Sequence, residues 1–102
     1  MGLRDPVGLP PLLSQSALEV AERWALRVRM EALQEQRVTM GGWPGTLSEA
    51  RAVVVGQLLP GLSAEGRREV GLVDREQMAR FVYRSARSWW RRMEGRDDEV
   101  AG

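Results

Sequence analysis

The sequence predicts an all-α protein, a small four-helix bundle with one long N-terminal helix, a short third helix and a long arginine-faced C-terminal helix. The first long stretch of good helix formers lacks glycine and proline, and three predicted helices open with capping-box residues. No segment alternates apolar and polar residues over the length of a half-buried strand. With 102 residues, the chain has the size of one domain with a single thin core.

Residues 1–15 are predicted to form an extended N-terminal arm, because prolines and glycines disfavour a helix there. The prolines of the arm are Pro6, Pro10 and Pro11. Helix one is predicted to begin at Ser16, where Ser16 and Glu19 match a capping box, and to run to about Val38. The arm leaves apolar side chains, Leu12 and Leu13 among them, for the core or for a partner.

Helix one carries two apolar faces. The first follows the three-and-four-residue spacing of a buried helix face and comprises Leu18, Ala21, Trp24, Ala25, Val28 and Ala32. The second lies on the far side and comprises Leu26, Met30 and Leu33. Either the remaining helices cover both faces, or the second face binds a partner such as another copy of the chain.

The middle of the chain contains two shorter predicted helices. A glycine-rich turn around Trp43 precedes helix two, and Trp43 is either a lid over the core or a contact residue. Thr46 and Glu49 form a second capping box, and Pro60 ends helix two. Ser63 caps the short third helix, which spans residues 64–70. The valine run 53–55 also suits a strand, but its flanking signals favour a helix.

Helix four is predicted to begin after Asp74, which forms a third capping box with Gln77, and to end at Gly95. The single helical domain then covers residues 16–95. Residues 96–102 are predicted to be a frayed acidic tail.

One side of helix four carries four arginines at spacings of four, three and four residues, so that they stack into one ridge. These residues, which we call the arginine ridge, are Arg80, Arg84, Arg87 and Arg91. The opposite side is the predicted core stripe, which includes Met78, Val82 and Trp89. Tyr83 and Trp90 are predicted to lie on the border between the two sides.

The charge of the chain is polarised although its net value is only +1. Residues 75–96 hold seven arginines and two acidic residues, while the rest of the chain is acidic. All 15 basic residues are arginine, and lysine, asparagine and isoleucine are absent. This bias is typical of a GC-rich bacterial or phage genome, so the preference for arginine alone does not indicate phosphate recognition.

Two kinds of binding fit these patterns. Because guanidinium groups suit phosphate oxygens and aromatic rings stack on bases, helix four is predicted to bind nucleic acid, in a regulator or a nucleoprotein assembly. The candidate residues are Arg80, Arg84, Arg87, Arg91, Tyr83 and Trp90. The alternative is a self-associating adaptor or inhibitor of a partner protein, with contacts at Leu26, Met30, Leu33, Leu12 and Leu13. A solvated ridge, or one paired with acids of helix one, is the third interpretation.

The composition argues against catalysis. Histidine and cysteine are absent, which excludes Cys/His metal sites, Cys or His nucleophiles, and disulfides. We therefore expect no enzymatic activity, no cofactor and no bound metal. No apolar run approaches the ~18 residues that span a membrane, and the N-terminus lacks the layout of a secretory signal. These features predict a cytoplasmic protein without membrane contact.

Overall fold

The structure, a computed structural model, describes residues 8–35 and 42–101, with side chains up to residue 94. These residues form four α-helices and no strand, which confirms the all-α bundle. The helices are α1 (Pro11–Gln34), α2 (Leu47–Val53), α3 (Ala64–Val70) and α4 (Arg75–Ala101). The predicted order of a long first helix, a short third helix and a long last helix is also confirmed.

Helix α1 begins earlier than predicted, at Pro11 instead of Ser16. Proline suits the first turn of a helix, because the N–H that it lacks has no intrahelical partner there. The prediction of an extended arm is therefore wrong for residues 11–15, and residues 1–7 lie outside the described part of the chain. Helix α1 ends at Gln34. The predicted end near Val38 falls within residues 36–41, which also lie outside the described part of the chain.

The start of α1 is capped by another helix. The Leu13 N–H donates to Oε1 of Glu69 in α3 at 2.7 Å. A carboxylate at this place satisfies a backbone donor that has no intrahelical acceptor, and its charge interacts favourably with the helix dipole. This contact fixes α3 against the start of α1.

Helix α2 begins at the predicted capping box. The Glu49 N–H donates to Oγ1 of Thr46 at 3.1 Å, and the Thr46 N–H donates to Oε1 of Glu49 at 2.8 Å. The chain then widens into a π-helical turn, Val54–Leu58, and closes in a 3₁₀ turn, Leu59–Gly61. Pro60 lacks the N–H that would continue a helical ladder, so the helical path ends in this 3₁₀ turn.

Helices α3 and α4 also start at the predicted caps. Oγ of Ser63 accepts the Gly66 N–H at 3.0 Å, and Oδ1 of Asp74 accepts the Glu76 N–H at 3.2 Å. The predicted end at Gly95 is wrong, since α4 continues through it to Ala101. Glycine inside a helix costs about 1 kcal/mol relative to alanine and does not by itself end one. The predicted frayed tail is thus helical to residue 101.

Helices α1 and α4 run in the same direction along each other. The side-chain amide of Gln77 donates to the Gly8 carbonyl at 3.1 Å near the start of both helices, and further along Arg29 lies over the ring of Trp90. Between them lies a core to which all four helices contribute. Its largest fully buried side chains are Trp24, Leu13, Leu58, Met78, Val54 and Val82.

Three tryptophans join the loop before α2 to this core. The ring of Trp43 lies 5.0 Å from that of Trp24 and 5.6 Å from that of Trp90, both edge to face. Such pairs contribute about 0.5–1.5 kcal/mol beyond their buried area. A Cβ on Gly45 would overlap the Trp43 ring, so the ring position requires glycine there. Trp43 is therefore the lid of the core.

Candidate nucleic-acid interface

The arginine ridge lies on a continuous helix. Helix α4 is regular from Arg75 to Ala101, and all four ridge arginines are exposed. The buried residues of α4 lie on the opposite side and include Met78, Val82 and Ala86. The predicted separation of an apolar back and an arginine front is therefore present.

Only the first ridge arginine lies near a carboxylate among the described side chains. Nε of Arg80 is 3.8 Å from Oε2 of Glu76, one turn earlier on α4. Glu76 is already engaged by Arg51 of α2, whose Nε and Nη2 donate to its two oxygens at 2.8 Å each. The hydrogen bonds from Arg51 hold the pKa of Glu76 below its ordinary value.

The other three ridge arginines form no ion pair with a side chain that the structure describes. Arg84, Arg87 and Arg91 have no carboxylate oxygen within 4.0 Å among the side chains that the structure describes. The acids of α1 on the neighbouring side therefore do not neutralise the ridge. Like charges stacked one turn apart repel by a few tenths of a kcal/mol per pair, so Arg84, Arg87 and Arg91 concentrate positive charge on one side of α4.

The two aromatic rings predicted beside the ridge do not behave alike. Tyr83 is half-buried at the edge of the core. Trp90 is only 2 % exposed, and the prediction that it lies on the border as a base-stacking ring is wrong. Trp43, in the loop before α2, packs against this side of α4. The buried side of α4 therefore includes Ala79 and Trp90. Trp89, predicted as core, is only half-buried.

A groove between α1 and α4 was not predicted from the sequence. It has a volume of about 560 Å³ and an apolar floor of Leu18, Phe81 and Trp89. Glu19 and Glu22 of α1 line one side, which we call the acidic rim. Arg84 and Arg92 of α4 line the other side, which we call the basic rim. The guanidinium carbon of Arg92 lies 5.2 Å from the centre of the Trp89 ring.

The one sequence signal for the basic rim is the spacing of Arg84, Ser88 and Arg92, which repeats every four residues. That signal identifies a side of α4 but not the helix that faces it. The groove depends on the relative register of two long helices, which the pattern of either helix alone does not contain.

The structure leaves four of the predicted partner contacts exposed and buries the fifth. The second apolar face of α1, which we call the outer strip, remains open: Leu26, Met30 and Leu33 are 45 %, 57 % and 51 % exposed. The interpretation in which the other helices cover both faces of α1 is therefore wrong for the described residues. Leu12 is exposed as well, but Leu13 is fully buried beside the Glu69 cap and is not a partner contact.

Within the described ranges, no helix combines the length and apolarity needed to cross a membrane. Comparison of the chain with protein-family models, with curated proteins and with solved structures finds no match in any of the three.

Proposed function

We propose that this protein is a non-enzymatic binding protein that contacts the phosphate backbone of nucleic acid through the arginine ridge of α4. One observation carries the proposal: Arg84, Arg87 and Arg91 are exposed on one side of an unbroken helix without a carboxylate partner among the described side chains. A polyanion relieves the repulsion between these charges and releases its own condensed counterions on binding.

The length of the ridge suits several consecutive phosphates. From Arg80 to Arg91 it extends about 16 Å along the helix axis. The rise of about 3.4 Å per phosphate is measured along the duplex axis, and each strand winds around that axis, so a straight ridge of this length lies beside only a few phosphates of one strand. Planar guanidinium groups make paired hydrogen bonds to phosphate oxygens, which lysine does not.

The mode of binding follows from the positions of the aromatic rings. Trp90 is buried and Tyr83 is half-buried, so the ridge is not flanked by a platform on which bases stack. Arginine contacts to phosphate fix orientation and supply affinity without reading sequence. We therefore infer a subunit of a nucleoprotein assembly in preference to a regulator that recognises a particular site.

Fluorescence anisotropy with a labelled duplex and a labelled single strand, each at two salt concentrations, tests the proposal. The wild-type chain is expected to bind at low salt and to weaken as salt rises. Arg84→Glu with Arg87→Glu is expected to abolish binding while the fold stays intact, because both side chains are exposed.

The matched control reverses two exposed arginines away from the ridge, Arg67→Glu with Arg68→Glu on α3, and is expected to retain most of the affinity. Absence of binding at low salt, binding without salt dependence, or an equal loss in the control variant contradicts the proposal.

A second candidate function is self-association, and the exposed outer strip supports it. Three large apolar side chains on consecutive turns of α1 face solvent, which is the kind of patch that marks interaction surfaces. Sedimentation of the purified chain tests this candidate. A dimer that forms with increasing concentration supports it, and a monomer at every concentration contradicts it.

A further inference from the structure

We propose that the groove between α1 and α4 is the two-fold contact between two copies of this chain. This inference rests on the self-association candidate and deepens it, because it names the contact surface, the partner and the relative orientation. It shares Arg84 with the ridge, so its test is carried out without nucleic acid.

The floor of the groove is an apolar surface that the described residues leave partly exposed. Leu18 is 44 % exposed, and Phe81 and Trp89 are half-buried. The outer strip continues this side of α1, because Leu26 follows the groove residue Glu22 by one turn and Met30 follows Leu26 by another. The open apolar surface thus extends beyond the groove along the same helix.

The rims carry opposite charges, but no ion pair among the described side chains joins one rim to the other. None of Glu19, Glu22, Arg84 and Arg92 has an ion pair among the described side chains, although they line the same groove. The stacking of Arg92 on Trp89 instead holds its guanidinium at the basic rim. Both rims are therefore available to charges from outside.

A second copy is the occupant that matches these rims. In a dimer whose two-fold axis runs parallel to the groove, the grooves of the two copies face each other. The acidic rim of each copy then lies opposite the basic rim of the other. An axis across the groove would instead place acid against acid and arginine against arginine. A self-complementary surface of this kind is what a symmetric dimer requires.

A nucleic acid is a poorer match for the groove, because its phosphates would lie beside Glu19 and Glu22. The groove and the ridge therefore serve different ligands, although Arg84 borders both.

The test uses two charge-reversed chains whose masses are measured by sedimentation equilibrium without nucleic acid. The first chain carries Glu19→Arg with Glu22→Arg, so that both of its rims are basic. The second carries Arg84→Glu with Arg92→Glu, so that both rims are acidic. Matched controls change the net charge equally away from the groove: Glu31→Arg with Glu65→Arg, and Arg67→Glu with Arg68→Glu.

The wild-type chain and both controls are expected to form dimers. Each rim variant alone is expected to be monomeric under the same conditions, because like charges facing each other weaken a contact by more than about tenfold. An equal mixture of the two rim variants is expected to recover the dimer, since each basic rim then faces an acidic one. If a double variant fails to fold, Glu19→Arg and Arg84→Glu form the milder pair.

The outcomes separate the groove from self-association in general. A wild-type dimer that both rim variants retain contradicts the groove and leaves another dimer contact, such as the outer strip. A wild-type chain that stays monomeric contradicts self-association and the groove together. Loss of the dimer in each variant without recovery in the mixture contradicts the charge-matched orientation of the two copies.

Discussion

The adjacent residues Trp89 and Trp90 have different surroundings although both lie in the middle of α4. Trp90 is buried beneath the lid residue Trp43 and below the guanidinium of Arg29, whereas Trp89 faces the groove. The periodicity of α4 alone suggests the opposite assignment, because it does not show on which side the lid packs. One aromatic contact from a distant loop decides which of two neighbouring rings becomes core.

Truncation of these two residues tests the assignment. Trp90→Ala is expected to destabilise the protein by about 3–5 kcal/mol, the usual range for a fully buried tryptophan. Trp89→Ala, the matched control, is expected to cost clearly less, because its ring is already in contact with solvent. Denaturant unfolding followed by far-UV circular dichroism measures both, and a greater loss for Trp89→Ala contradicts the assignment.

At the level of elements, the starts of the helices differ in whether the capping residue is close in sequence or distant. The Thr46–Glu49 box and the Ser63 cap are within three residues of their partners, and the sequence predicts both correctly. The start of α1 combines a local feature, proline in the first helical turn, with a distant one, the bond from the Leu13 N–H to Glu69, 56 positions away. No local pattern contains the distant contact, and the Ser16 and Glu19 box, which matches the motif, is an incorrect prediction.

Removal of the distant cap tests its contribution. Glu69→Ala is expected to destabilise the protein by about 1 kcal/mol, as loss of a helix cap typically does. Glu69→Gln retains an acceptor oxygen without the charge and is expected to cost less. The Leu13 amide is expected to exchange its hydrogen faster in Glu69→Ala than in wild type. An unchanged exchange rate at Leu13 contradicts the cap.

The contact of Arg51 with Glu76 joins α2 to α4 and predicts a dependence on pH. Because the pKa of Glu76 is lowered in the folded state, its charge stabilises the fold above the ordinary value of 4.5. That stabilisation is lost as the pH falls through the folded-state pKa. The difference in Tm between wild type and Glu76→Gln is therefore expected to shrink progressively below pH 4.5.

The same comparison in an Arg51→Gln background is the control. Without the guanidinium that lowers the pKa, the acid dependence of the Glu76→Gln difference is expected to diminish strongly. An equal acid dependence in both backgrounds means that Arg51 is not its source.

At the scale of the whole molecule, the two sides of the groove carry opposite charges, although α1 as a whole has equal numbers of glutamates and arginines. Helix α1 contributes the acidic rim, and α4 contributes the basic rim and the arginine ridge. The ridge is predictable from the sequence because it follows the period of one helix. The groove is not, because its two rims meet only when α1 and α4 run in the same direction in one particular register.

The central claim is that the exposed arginines of α4 contact phosphates. The most direct measurement is the dependence of duplex affinity on salt, plotted as log K against log salt concentration, for wild type, Arg87→Gln and Arg91→Gln. Each neutralised ridge arginine is expected to reduce the magnitude of the slope by about one. Slopes that remain equal to the wild-type slope in both variants contradict phosphate contact by the ridge.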